Sequence, residues 1–136
     1  MQREGRTFDL DPAEVTAARS FAAGVLESWG CVAADVVLVV SELASNAVLH
    51  ARTPFTVSLC REGRRLTVEV ADQNPRLPIA AEPPPGALSG RGLMLVSAIC
   101  KAWGARPESS DGKLVWAEFD WPGQEWGGLP VAPGRD

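Results

Sequence analysis

Apolar residues first recur at helical spacing at Val15, Ala18, Phe21, Ala22, Val25 and Leu26, the signature of one buried helix face. Just before them, Asp11 suits the N-cap, Pro12 the first helical position and Glu14 an acidic first turn. Gly30 can stop the helix. A second helix is predicted from about Ala33 to His50, with Val36, Val37, Val40, Leu43, Ala44, Ala47 and Val48 on its apolar face. The β-branched run from Val36 to Val40 also suits a strand. The helical period continues through Leu43 and Ala47, which decides for helix, and Pro54 ends the segment. Alternation of apolar and polar positions then takes over in 55–60 and 66–71, giving two strands with 61–65 as their hairpin connection.

Residues 74–89 break every period with their prolines and Gly86. A short apolar helix is expected over 93–100, and strands over 103–106 and 114–119 joined by a turn at 110–113. A further short edge strand is placed at 6–10. After Pro122 the chain is rich in Gly and Pro, so a single domain over 1–122 is expected to end in a frayed tail over 123–136.

A length of 136 residues suits one domain with a real core, and 46 % hydrophobic residues argue against disorder. The net charge of −4 comes without a basic stripe, so direct nucleic-acid binding is not expected. Arg61, Arg64 and Arg65 form the densest basic run and read as a solvated hairpin turn. No apolar run reaches the roughly 18–20 residues of a membrane span. The N-terminal residues lack a following apolar h-region, so a cytoplasmic protein without membrane attachment is expected. Cys31, Cys60 and Cys100 lack C-x-x-C spacing and read as small core residues rather than zinc or redox ligands.

Three segments carry candidate chemistry. Glu42, Asn46 and His50 lie four residues apart, nearly in line on a helix and flanked by apolar neighbours. A carboxylate in such surroundings is costly unless paired, hydrated or metal-linked. It can orient an attacking hydroxyl, while an amide oxygen one turn on suits Mg²⁺; phosphoryl transfer needs that combination. An ordinary solvated helix face would use the same residues. Asp72, at a strand end before Gln73-Asn74-Pro75, can accept from the exocyclic amine of adenine or merely shape an Asx turn. Gly90-Arg91-Gly92-Leu93 leads into the apolar helix, where free N–H groups and a fixed cation favour an anion, although a flexible connection would also use glycines.

In order and spacing, these segments resemble the boxes of the GHKL ATPase superfamily, and more narrowly its small stand-alone members related to anti-sigma-factor serine kinases. The resemblance rests on Ser41 to Ala51 for the helical box, Val70 to Pro75 for the adenine box, Gly90 to Val96 for the glycine box and Gly112 to Trp116 for the last strands. It covers roughly residues 6–120. It implies the Bergerat ATP-binding fold: an α+β two-layer sandwich with a mixed, mostly antiparallel sheet and helices packed on one face. It further implies Glu42 as general base or water-positioning group, Asn46 as Mg²⁺ ligand and Asp72 as adenine reader. Asn74 belongs to the same nucleotide site, Gly90, Arg91, Gly92 and Leu93 line the phosphates, and 76–89 form an ATP lid. Asn74 and Pro75 stand where relatives carry glycines, and Leu114-Val115 offers no hydroxyl where many relatives have a threonine.

The implied activity is ATP- and Mg²⁺-dependent phosphorylation of a serine on a small antagonist protein, within a partner switch that also binds a sigma factor. The alternative is a catalytically weak or inactive nucleotide-binding module that acts by docking. A detached histidine-kinase ATPase half fits less well, because no long helical hairpin could carry a phospho-acceptor histidine. A homodimer is compatible with the resemblance, and His50 reads as a structural residue at a helix C-terminus.

Overall fold

The structure is a computed structural model, and it describes residues 1–77, 91–108 and 111–122. Strand β1 (Gln2–Phe8) is followed by helices α1 (Ala13–Ser28) and α2 (Ala34–Asn46), the latter running on into a π-helical turn, Ala47–Ala51. Strands β2 (Phe55–Glu62) and β3 (Arg65–Asp72) form a hairpin, α3 spans Arg91–Ile99, and β4 (Ala102–Glu108) and β5 (Gly112–Asp120) form a second hairpin. The sheet order is β1-β2-β3-β5-β4. All four pairings are antiparallel, which is stricter than the mixed sheet expected. All three helices pack on the sheet, α1 against β1 and β2, α2 against β2, β3 and β5, and α3 against β4. This is the α+β two-layer arrangement.

Local chemistry sets the helix ends. Asp11 accepts the Ala13 N–H through Oδ1 at 2.9 Å and the Glu14 N–H through its carbonyl at 2.8 Å. Orphan donors of the first turn of α1 are thereby satisfied. At the other end Gly30 has φ +85, Cys31 N–H reaches Leu26 O and Gly30 N–H reaches Glu27 O. That pair of bonds is a Schellman stop, which needs a residue tolerant of positive φ.

The core lies between the sheet and the helices. Val57 and Leu59, Leu66, Val68 and Val70, and Val115, Ala117 and Phe119 face Val36, Val39, Val40 and Leu43 of α2, all buried. Each fully buried aliphatic side chain is worth about 1.5–3 kcal/mol. Phe8 stacks on Phe55, centroids 5.4 Å apart, and meets Phe21 edge-on at 5.9 Å, which fixes β1 and α1 to the sheet.

Four expectations change. β1 covers Gln2–Phe8 rather than 6–10, because its whole length pairs with β2. Residues Ala34–Ala51 do form a helical stretch long and apolar enough to cross a membrane by length and composition. It is the core helix here, with Val36, Val39, Val40, Leu43, Ala44, Ala47 and Val48 buried. Of the cysteines only Cys31 is buried; Cys60 and Cys100 are half-buried, and all three are free. Arg61 is not simply solvated: its guanidinium lies 3.9 Å from the centre of the Trp121 ring, and Trp121 packs into the core. The expected tail, 123–136, with Trp126, lies outside the described residues.

Candidate nucleotide site

Helix α2 changes its winding after Asn46. Through Asn46 the helix is regular, so Glu42 and Asn46 stand one turn apart on one face. Both are half-buried, and neither side chain bonds to another described residue. From Ala47 the winding is π, closed by an Arg52 N–H bond to Ala47 O at 2.7 Å, with Arg52 at φ 59. A π turn takes up more residues than an α turn. His50 therefore leaves the line predicted for it and is exposed.

Asp72 is the last residue of β3. Its position alternates onto the inner face with Leu66, Val68 and Val70, and its side chain is only 4 % exposed. Asp72 Oδ1 accepts the Asn74 N–H at 2.9 Å, and Asn74 Oδ1 accepts the Arg76 N–H at 2.9 Å. These two successive Asx turns shape the chain beyond the strand where glycines were expected to be needed. The turn is tied to the end of α2: Gln73 N–H donates to Thr53 Oγ1 at 3.0 Å, and Asn74 Nδ2 to Ala51 O at 3.3 Å. Asn74 is thus committed to the backbone around it.

The partner missed from sequence is Lys113. It is the register partner of Asp72 across β3 and β5. Its ammonium Nζ lies 3.0 Å from Asp72 Oδ2 and 3.1 Å from Oδ1, and donates to Asn74 O at 3.1 Å. Lys113 alternates with Val115, Ala117 and Phe119 on the core face, and its side chain is 8 % exposed. A strand begun at Leu114 hides this; begun at Gly112, it places a lysine on a buried line, where a charge demands a partner. Gly112 is required beside it, since a Cβ there would run into the Asp72 carbonyl oxygen.

Helix α3 begins at Arg91, and Leu93 is buried in the core, so only its backbone N–H could face an anion. Gly90 and most of the expected lid, from residue 78 on, lie outside the described residues, and of Arg91 and Gly92 only the helical backbone is described. α2 packs against α3, β3 and β5 as well. The helix that carries Glu42 and Asn46 therefore packs against both α3 and β3, the strand that ends in Asp72. No cluster of three or more His, Cys, Asp or Glu occurs among the described residues. A hard cation held by Asn46 would need phosphate and water oxygens to complete its shell, the usual manner of Mg²⁺. A half-buried amide and a half-buried carboxylate one turn apart, neither with a side-chain partner among the described residues, fit that role.

The sequence model of the histidine kinase-like ATPase domain family matches residues 8–119. Among curated proteins, no sequence matches significantly. A solved structure of the RsbU and RsbW domains of Rv1364c from Mycobacterium tuberculosis superposes with a TM-score of 0.68 at 17 % identity, over 88 % of this chain and 32 % of that one. The shared feature is the fold, and this chain spans about a third of that protein's length.

Proposed function

Because the chain belongs to the histidine kinase-like ATPase domain family, within the GHKL superfamily, we propose that it binds ATP with Mg²⁺ and transfers the terminal phosphoryl group to a serine or threonine of a small antagonist protein. In this reading it is the kinase of a partner switch that also engages a sigma factor. The RsbW domain named in the similar structure supports the regulatory setting. The observation that carries the proposal is the pair Glu42 and Asn46, half-buried, without side-chain partners among the described residues, one turn apart on the helix whose end is bonded to the Asp72 turn.

Glu42 orients the acceptor hydroxyl and takes its proton as the oxygen attacks. Asn46 offers its side-chain oxygen to Mg²⁺, which, when bound, neutralises charge on the phosphates. The N–H groups at the start of α3 face the phosphate oxygens, and the Asp72 carboxylate accepts from the adenine amine. Positioning and charge stabilisation supply most of the rate in such transfers. The test is incubation with labelled ATP, Mg²⁺ and candidate antagonist proteins, for wild type and Glu42→Ala. The variant should bind nucleotide and lose transfer; equal transfer by both would remove Glu42 from the chemistry.

A second reading is a nucleotide-binding module of weak or no catalysis that acts by docking. One observation favours it: both oxygens of Asp72 already contact a cation.

A further inference from the structure

We infer that, in this chain, base recognition belongs to the Asp72–Lys113 pair as a two-point reader: Lys113 donates to the ring nitrogen of adenine beside the amine that Asp72 accepts. The inference rests on the proposed ATP binding and gives a role to a residue that the family resemblance placed in the last strands without one.

An ammonium carries three hydrogens. One is donated to Asp72 Oδ1 at 3.1 Å, while Oδ2, 3.0 Å from Nζ, stands in ion-pair contact with the same ammonium. A second goes to Asn74 O. The third has no acceptor among the described residues. On the carboxylate, Oδ1 accepts from both Asn74 N–H and Lys113. Among the described residues Oδ2 has only the Lys113 ion-pair contact, which leaves it able to accept a further hydrogen bond. The satisfied pair therefore keeps one donor next to one acceptor.

Adenine offers the complement on neighbouring atoms: the 6-amine as donor and N1 as acceptor. Guanine in the same pose sets its carbonyl against the carboxylate and its N1–H against the ammonium, so both contacts become repulsive. The register of β3 and β5 fixes the two side chains relative to each other, and their burial keeps water from competing for the remaining bonds. Lys113 also clamps the Asp72 to Asn74 turn, so the reader is preorganised without the missing glycines.

The test is calorimetric titration of the full chain, with Mg²⁺, using ATP, GTP and 1-deaza-ATP, in which N1 is replaced by a C–H. Losing a bond to a charged donor costs roughly 10- to 100-fold in affinity. Wild type should bind 1-deaza-ATP that much more weakly than ATP and should disfavour GTP. Lys113→Met should bind ATP about as weakly as wild type binds 1-deaza-ATP, and should no longer separate the two. Equal binding of ATP and 1-deaza-ATP by wild type overturns the inference but leaves ATP binding standing, and it needs no variant to fold. Tighter ATP binding by Lys113→Met also overturns it, since Lys113 would then compete with the base. No ATP binding by wild type overturns the inference and the proposed function together.

Discussion

Lys113 Nζ meets both carboxylate oxygens of Asp72, at 3.0 and 3.1 Å, from the opposing position on the neighbouring strand. Two charges taken out of water are costly, and the geometry offsets that cost only while both partners are present. The pair stands at the end of the sheet where β3 turns back toward α2, so it joins the stability of the fold to the shape of the site.

The pair should therefore behave as a coupled unit in denaturation. Asp72→Asn leaves a buried ammonium without its counter-charge and should cost about 3 kcal/mol, read as a lower urea midpoint. Lys113→Met should cost a similar amount. The double variant should recover much of the loss, because no lone charge remains. Purely additive losses would show that the two side chains do not depend on each other.

Gly112 is a second, independent point. A methyl group there meets the carbonyl oxygen of Asp72, and overpacking of this kind costs about 1–3 kcal/mol. Gly112→Ala should lower Tm by several degrees, whereas Gly24→Ala, where the added carbon meets nothing within 4 Å, should leave it unchanged or raise it. Equal effects of the two substitutions would contradict the close approach.

Much of this was legible in the sequence where periods are long. The helical face of α2 separated helix from strand despite its valines, and Gly30 marked the stop of α1 by a conformation few other residues tolerate. Asp72, Glu42 and Asn46 were visible because polar residues in apolar surroundings stand out. Lys113 was not, because its meaning depends on register, and register is a relation between strands 41 residues apart. His50 was misplaced on the polar stripe because the change to π winding leaves no residue-type signal in Ala47 to Ala51. The lengths of β1 and β5 followed from pairing, which composition at their ends does not announce.

Burial pushes the thiols of Cys31 and Cys100 above the ordinary value of 9.0. The unfolded chain then releases those protons first, so between the unfolded and folded values the native state holds more protons and stability falls as pH rises. Below the unfolded value the contribution is fully present. Cys31→Ala removes one such group, so the stability gap between wild type and variant should narrow from pH 7.5 to roughly pH 10. A gap that stays constant in urea titrations at both pH values would contradict the buried thiol's contribution.

The most direct measurement is calorimetric titration with ATP, with and without Mg²⁺, of wild type and Asn46→Ala. Wild type should bind ATP at least about tenfold more tightly when Mg²⁺ is present, equivalent to roughly 1.4 kcal/mol, and Asn46→Ala should lose most of that gain while its Mg²⁺-free affinity stays the same. Identical curves for wild type with and without Mg²⁺, or an unchanged Mg²⁺ gain in the variant, would contradict a phosphate-borne cation seated on α2.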